Sequence, residues 1–268
     1  MKPARLYRRL LLGSAVLAFA AAAPAQDRTL QEIRKYREML QADNPAELME
    51  LRGEELWTTP RGPERATLSQ CDLGLGPGRL DGAYAQLPRY FADTGKVQDA
   101  ESRLVTCMTT LQGLSPAEAM DRWYARESDI EALVTYIATR SKGYAIDVPA
   151  RHPREAQMYA IGEAIFHRRS GPLDFACATC HSADDRHIRL QEVPNLTTAA
   201  GARTTMAQWP AYRVSQSAVW TMERRVIDCM RQMRLPEPAF TSEAVIALQV
   251  YMQKNASGAT LEAPGIKR

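Results

Sequence analysis

Two cysteines and a histidine stand together in the chain, in the order Cys177-Ala178-Thr179-Cys180-His181. Cysteines at this spacing, followed at once by a histidine, are typical of a c-type haem attachment site. Two thioether bonds fasten the porphyrin edge across one short turn, and the histidine places its imidazole under the iron. The motif therefore predicts one covalently bound haem c, attached to Cys177 and Cys180, with His181 as an axial ligand.

Residues 1–25 predict the compartment. Four basic residues precede an apolar run, Leu10–Ala22, and Ala23–Ala25 has the small side chains of a cleavage site. These features indicate a secretory signal peptide, and the run is too short and alanine-rich for a good membrane span. We expect a mature chain that begins near Gln26 and lies in the periplasm, where disulfides persist. That location, and the lack of a βαβ pattern, disfavour a redox Cys-x-x-Cys pair as the alternative interpretation.

The charge balance gives no support to nucleic acid or an anionic membrane surface as a partner. The whole chain has 34 Lys and Arg residues and 31 Asp and Glu residues. Four of the basic residues belong to the predicted signal peptide, which leaves 30 against 31 and a net charge of −1 for the mature chain. After the signal, the sequence has no apolar run of membrane-spanning length.

Residues 86–108 and 208–230 are two copies of one pattern. They align without a gap, and eight of the 23 positions are identical. The repeat extends beyond these residues through looser matches. Gly53 corresponds to Gly162, and a segment before the end of each half also matches. The identical pairs are Gln86/Gln208, Pro88/Pro210, Tyr90/Tyr212, Val97/Val219, Glu101/Glu223, Arg103/Arg225, Cys107/Cys229 and Met108/Met230.

The hydrophobic periodicity predicts a mostly α fold. Apolar residues recur at helical spacing through much of the chain, as in residues 130–137, and no convincing alternating strand run is present. Prolines in residues 144–154 separate the two copies. We therefore predict two cytochrome c-like helical domains related by internal duplication, residues 26–148 and 149–268, with haem only in the second. The segments predicted as irregular loops are 72–86 and 182–207.

The chain has five cysteines, an odd number in an oxidising compartment. Haem consumes two, and Cys71, Cys107 and Cys229 remain. The first copy has no second cysteine and no histidine in residues 71–75, so it cannot hold haem by this chemistry. Its two cysteines are therefore predicted to form a Cys71–Cys107 disulfide. Cys229 is left without a thiol partner, in the half that has the haem motif.

The second axial ligand of the iron has two kinds of candidate. Methionine is usual in electron-transfer cytochromes. Cys229 is the unpaired thiol, lies about fifty residues after the haem motif, and has Arg225 one helical turn before it. A guanidinium beside a thiol favours the thiolate, the form that binds metal. The residues alone leave cysteine and methionine open. The methionine candidates are Met206, Met222, Met230 and Met233, whereas His152, His167 and His187 are disfavoured as ligands.

Together these features resemble the SoxA subunits of the SoxAX cytochromes (L-cysteine S-thiosulfotransferase) over nearly the whole mature chain. The specific part is Pro210-x-Tyr212 leading into Arg225-x-x-x-Cys229, because a bare haem motif occurs in many unrelated cytochromes. Members of this family carry one haem or two. This chain has no haem motif in its first half and therefore resembles the single-haem type. The resemblance implies His181 and Cys229 as axial ligands, with Cys229 often found as a persulfide, and Arg225 beside the reacting sulfur.

The same resemblance implies an activity and partners. The activity is oxidative coupling of thiosulfate to a cysteine of the carrier protein SoxYZ, and two electrons leave through haem to a further cytochrome c. The partner is a small, SoxX-like c-type cytochrome in a heterodimer. Arg225, with Arg224 and Arg231 as weaker candidates, would bind the thiosulfate dianion. The resemblance assigns no step of this activity to the helical segment at residues 28–50.

Three other functions stay open at this point. A plain electron-transfer cytochrome c would have a methionine ligand and no substrate. A thiosulfate dehydrogenase would form tetrathionate from free thiosulfate without a carrier protein. A binding module would use haem only as a structural group. Turnover with and without the carrier separates the two enzymes, and the haem spectrum separates thiolate from methionine ligation.

Overall fold

The computed structural model describes residues 22–121, 128–188 and 191–267. Most of the predicted signal peptide, residues 1–21, lies outside this part of the chain. The chain divides into two units, Met1–Asn44 and Pro45–Arg268, and the first contains helix α1 (Ala22–Ala42). Across the described ranges, no helix is both long enough and apolar enough to cross a membrane.

The second unit is mostly helical, with short strands of three residues each. Its first half contains α2 (Glu47–Thr58), a 3₁₀ turn (Tyr84–Gln86), β1 (Arg89–Phe91), β2 (Lys96–Gln98), α3 (Ala100–Gln112), α4 (Pro116–Ala119) and α5 (Asp129–Arg140). Its second half contains α6 (Pro153–His167), α7 (Cys177–His181), β3 (Arg186–Ile188), β4 (Gln191–Val193), α8 (Ala199–Met206), β5 (Ala211–Arg213), a 3₁₀ turn (Val214–Gln216), β6 (Ala218–Trp220), α9 (Met222–Gln232), α10 (Glu243–Asn255) and β7 (Gly265–Lys267).

The two halves repeat the same hairpin and helix. Strands β1 and β2 pair Arg89 with Gln98, and β5 and β6 pair Ala211 with Trp220, so the hairpins match at a constant offset of 122 residues. Helix α3 then begins at Ala100 and α9 at the equivalent position. Strand β7 adds to β5 in parallel, which makes the second sheet three-stranded. The structure therefore preserves the alignment that the sequence repeat indicates.

Each half also packs one long helix on another through a glycine. A Cβ atom at Gly53 would lie 2.2 Å from the carbonyl oxygen of Ala132, so α2 contacts the backbone of α5. A Cβ atom at Gly162 would lie 2.0 Å from the carbonyl oxygen of Ala247, where α6 contacts α10 in the same way. A side chain at either crossing would force the backbone to move, because Cβ atoms in packed proteins keep longer distances than these from their neighbours. The match of Gly53 with Gly162 thus has a packing cause.

The prediction that residues 182–207 are irregular is wrong in part. Strands β3 and β4 pair Arg186 with Val193, and helix α8 follows. The Thr198 hydroxyl caps α8 by accepting a hydrogen bond from the Gly201 amide at 3.2 Å. Because this helix has only eight residues, its apolar pattern, Ala202 and Met206 facing inward, is too short to stand out in the sequence.

The structure contains the predicted Cys71–Cys107 disulfide, which joins α3 to the loop that follows α2 across a separation of 36 residues. Both cysteines are buried in the hydrophobic core. The bond restricts the unfolded chain by closing this loop.

Removal of this disulfide should lower the free energy of unfolding by about 3 kcal/mol, through greater entropy of the unfolded chain. The variant carries Cys71→Ser and Cys107→Ser together, so that neither position is left as a free thiol. Chemical denaturation of the haem-loaded protein without reductant measures the change. An unchanged denaturation midpoint would show that the bond contributes no stability.

Four carboxyl groups are buried between the two halves. Oxygen atoms of Asp99, Glu101 and Glu223 all lie within 4.8 Å of one another. Burial, and then the neighbouring carboxylates, raise the pKa of Glu101 and Glu223 well above the ordinary value. Burial also raises the pKa of Glu131 to about 7, although Arg224 donates to it at 2.7 Å.

These groups make stability depend on pH with a definite sign. A carboxyl group whose pKa is raised by folding keeps its proton in the native state at a pH where the unfolded chain has released it. The free energy of unfolding should therefore fall as pH rises from about 4.5 through 7. The shift at Glu131 alone corresponds to about 3 kcal/mol. Denaturation at pH 5 and pH 8 measures this, and Glu101→Gln should flatten the dependence; equal slopes in both proteins would contradict the assignment.

Candidate active site

The haem motif forms α7, a single helical turn with free thiols. The Ala176 amide donates to the Thr179 hydroxyl at 2.9 Å, and this bond starts the turn immediately before Cys177. Cys177 and Cys180 are partly exposed and carry no disulfide. Burial, and then the nearby thiols of Cys229 and Cys180, raise the pKa of Cys177 to about 11. Both motif cysteines are thus available for thioether bonds to a porphyrin edge.

His181 is oriented by one hydrogen bond. Its Nδ1 atom lies 2.8 Å from the carbonyl oxygen of Pro194. A carbonyl only accepts, so Nδ1 carries the proton and Nε2 keeps the lone pair that a metal needs. Burial lowers the pKa of His181, and the positive charge of Arg225 acts in the same direction. The hydrogen bond with Pro194 acts in the opposite direction. The imidazole is therefore neutral near pH 7, the form that binds iron.

A repeated turn shows which residues replace the motif in the first half. Residues 61–66 and 170–175 form matching bridged turns at an offset of 109, the same offset that relates Gly53 to Gly162. This alignment places Leu68 at the position of Cys177, Cys71 at Cys180 and Asp72 at His181.

This alignment corrects the prediction from the sequence, which took residues 71–75 as the equivalent of the haem motif and so placed Cys71 opposite Cys177. The length of the turn fixes the alignment, and Gly62, Pro63 and Cys71 are identical to Gly171, Pro172 and Cys180 at this offset. Leu68 is fully buried, and Asp72 accepts hydrogen bonds from the amides of Gly74 and Gly76. Neither side chain can form a thioether or an imidazole–iron bond, so the first half lacks this attachment chemistry.

Cys229 lies on α9 with a free, partly exposed thiol. The helix begins at the Thr221 cap, whose hydroxyl accepts from the Arg224 amide at 3.3 Å. Burial raises the pKa of Cys229, and Arg225 lowers it by a smaller amount. The expected influence of Arg225 on the thiolate thus has the right direction, but burial outweighs it. A metal that coordinates this sulfur would remove its proton outright.

The three arginines proposed from the sequence have separate surroundings. Arg225 donates to Asp228 at 3.1 Å, and its charge acts on both His181 and Cys229. Arg231 is largely exposed and also contacts Asp228. Arg224 points the other way: it donates to Glu131 at 2.7 Å and lies 4.7 Å from the centre of the Trp220 ring. Arg225 is therefore the arginine of the three whose charge reaches both reactive side chains.

A fourth arginine at the site was missed in the sequence analysis. Arg213 ends β5, and its guanidinium carbon lies 5.4 Å from the centre of the Trp220 ring. Burial, and then the positive charge of Arg225, lower the pKa of Arg213 to about 10, while Asp228 and Cys229 act in the opposite direction. The repeat contained a signal for this residue, because it stands opposite Phe91 and adds a charge.

The other candidate ligands have structural surroundings. Met206 and Met222 are buried in the core, Met230 packs against it, and Met233 directly follows α9. His152 caps α6 and stacks on Tyr90 with ring centres 3.7 Å apart, and His167 packs edge-on against Phe166. His187 is exposed on β3.

The donor set fits a covalently bound haem c. Two free thiols and an oriented, neutral imidazole occur within one turn, and a free thiol on α9 interacts electrostatically with that turn. Residues 52–146 and 161–261 match the family described as SoxA/TsdA, cytochrome c domain. The fold and the site thus define a haem-binding c-type cytochrome.

Comparison with known proteins narrows this class. The chain is 49% identical over 260 residues to the L-cysteine S-thiosulfotransferase subunit SoxA of Hydrogenophilus thermoluteolus, covering 96% of this chain and 95% of that one. It is 32% identical over 263 residues to a SoxA subunit from Hydrogenobacter thermophilus, covering 97% of both. The crystal structure of SoxXA from P. pantotrophus has the same fold, with a TM-score of 0.74 at 24% identity over 87% of this chain and 84% of that chain. The chain belongs to the SoxA family.

Proposed function

We propose that this chain is the single-haem SoxA subunit of a periplasmic L-cysteine S-thiosulfotransferase. As a SoxA subunit it catalyses the coupling of thiosulfate to a cysteine of the carrier protein SoxYZ. The observation that carries the proposal is that Cys229 and Arg225 interact electrostatically with Cys177 and His181 of the haem motif, in a chain of the SoxA family. The predicted signal peptide supports the periplasmic location.

Four residues hold the haem in this proposal. Cys177 and Cys180 would form the thioether bonds, and the His181 imidazole and the Cys229 sulfur would bind the iron. Free thiols, the His181–Pro194 hydrogen bond and the electrostatic interaction between Cys177 and Cys229 support these roles. A single haem follows because Leu68 and Asp72 stand where the first half would need a cysteine and a histidine.

The reaction is a two-electron oxidation that forms one sulfur–sulfur bond. The outer sulfur of thiosulfate joins the carrier cysteine, the carrier thiol loses its proton, and two electrons leave. Bound haem supplies one-electron redox chemistry. Arg225 holds the thiosulfate dianion by charge-assisted hydrogen bonds, and Asp228 orients Arg225. The Cys229 sulfur is a nucleophile at the reacting centre and can carry sulfur between the substrates.

The electron count implies a partner. One haem accepts one electron at a time, so a second redox centre must take the other electron. A small c-type cytochrome in a heterodimer with this chain supplies that centre, and a further cytochrome c accepts the electrons. The similarity to a chain whose crystal structure is named SoxXA supports this assignment. No step requires the helical segment at residues 28–50.

The test is turnover of the purified complex with thiosulfate and cytochrome c, with and without SoxYZ. We expect cytochrome reduction that depends on the carrier, and a carrier mass increased by the thiosulfate group. Tetrathionate formation without the carrier would instead identify a thiosulfate dehydrogenase, and no thiosulfate-dependent reduction would identify a plain electron carrier. Intact mass and peptide mapping should give one haem, on Cys177 and Cys180; haem on Cys71 would refute the single-haem assignment.

A further inference from the structure

We propose that Arg213 and Arg225 together form a binding site for a dianionic oxyanion beside Cys229. Its ligand is thiosulfate, and for that identity the inference rests on the proposed function. Arg213 is then a second substrate-binding residue.

The two halves of the chain provide the comparison that isolates Arg213. At the offset of 122 residues, Arg225 corresponds to Arg103 and Arg213 corresponds to Phe91. In the first half, the guanidinium of Arg103 lies 4.1 Å from the centre of the Phe91 ring. The second half has replaced this aromatic ring by a second guanidinium. Where the first half has one guanidinium stacked on an aromatic ring, the second half therefore has two guanidiniums.

The partners of the first arginine have also changed. Arg103 donates to the Asp72 carbonyl oxygen at 2.6 Å and to the Asp93 carboxylate at 2.7 Å. In the second half these positions hold His181 and Ser215, which adds no negative charge. Asp228 is the carboxylate that Arg225 contacts, and it also accepts from Gln232 at 2.6 Å and from Arg231. One shared carboxylate does not neutralise two guanidiniums.

Two buried donors of the hairpin formed by β5 and β6 have no acceptor. Within the described part of the chain, Arg213 Nε and Trp220 Nε1 are buried and have no hydrogen-bond partner. Such groups cost free energy unless an acceptor arrives. Like charges also repel, and the neighbouring Arg225 lowers the pKa of Arg213. An anion between the two guanidiniums removes both penalties.

The site is open to a small anion. The side chain of Arg225 is 26% exposed, and Arg213 and Cys229 are partly exposed. Thiosulfate carries two negative charges and three sulfonate oxygens, which match several N–H donors at once. When the sulfonate oxygens bind the guanidiniums, the outer sulfur of thiosulfate is free to face Cys229. A haem propionate also offers anionic oxygen acceptors to these guanidiniums, so the experiment must distinguish a propionate from thiosulfate.

The test compares Arg213→Phe, which restores the residue of the first half, with Arg213→Gln and Arg213→Lys in the haem-loaded complex. We expect the thiosulfate KM to rise about 10- to 100-fold in the Phe and Gln variants, and less in the Lys variant. The haem spectrum and reduction potential should stay unchanged. Arg140→Gln, which removes an exposed arginine paired with Asp81 in the first half, is the charge control and should leave KM unchanged.

Calorimetric binding of thiosulfate to the oxidised complex is the second measurement. Loss of this binding in Arg213→Gln supports the site even if the wild-type complex shows no carrier-dependent turnover, in which case only the proposed function fails. An unchanged KM and unchanged binding in Arg213→Gln overturn the inference. A shifted haem potential with an unchanged KM also overturns it, because Arg213 would then serve a propionate. If Arg213→Phe fails to fold, the Gln and Lys variants decide.

Discussion

Replacement of Cys229 by methionine should abolish carrier-dependent turnover and raise the reduction potential of the haem sharply. A thiolate is an anion that stabilises the ferric state, whereas a thioether is neutral and favours the reduced state. The variant also loses the nucleophilic sulfur, for which we expect a loss of at least about 1000-fold in kcat. Spectroelectrochemical titration and electron paramagnetic resonance of the oxidised haem measure the ligand change, and the turnover assay measures the catalytic loss.

Met230→Leu is the matched control for this change, because Met230 follows Cys229 on the same helix and packs against the core. It should leave the potential and turnover near the wild-type values. A near-infrared methionine band in the unmodified protein, lost in Met230→Leu, would show that the ligand is methionine. Retention of the original potential in Cys229→Met would show that Cys229 is not a ligand of the iron.

The sequence was sufficient for those parts of the site that depend on short-range spacing. Cys177 and His181 are separated by one helical turn, so their joint position follows from the motif alone. The Cys71–Cys107 pairing followed from the repeat, because the first copy lacks the haem motif and leaves both of its cysteines for a disulfide. Gly53 and Gly162 also carried a signal, because a helix crossing without room for a side chain requires glycine in both copies.

The parts that failed depend on contacts between distant segments. Arg224 was a weaker candidate than Arg225 for binding the anion, and one residue on a helix changes direction by about a quarter turn. It therefore contacts Glu131, 93 positions earlier, instead of the site. Arg213 was overlooked because the repeat shows only that it replaces Phe91, whereas its position near Cys229 becomes visible only when the hairpin is placed. The buried Glu101 and Glu223 were identical in the repeat, yet their meeting depends on how the two halves pack.

Replacement of Arg225 by alanine should lower carrier-dependent turnover by roughly 30- to 1000-fold, because one charged contact to the reacting anion is lost. Two effects act together. The Cys229 sulfur loses the neighbouring positive charge that most favours its anionic form. Asp228 loses one of its donors and leaves more uncompensated negative charge beside the dianion. Arg225→Lys should keep partial activity, since it retains the charge and loses the planar fork. Steady-state kinetics with thiosulfate and carrier varied separately measures both variants.

Arg103→Ala separates this role from a structural one, because Arg103 is the equivalent residue in the half without the haem motif. Arg103 is buried and holds the Asp72 carbonyl and the Asp93 carboxylate, so its loss should destabilise the fold by about 2 kcal/mol. Turnover per haem-loaded molecule should remain near wild type. Arg225→Ala should show the reverse pattern, with a nearly unchanged haem spectrum and denaturation midpoint but little turnover. If Arg225→Ala retained near-normal turnover, the oxyanion would bind elsewhere, and Cys229 would lie at a haem that serves only electron transfer.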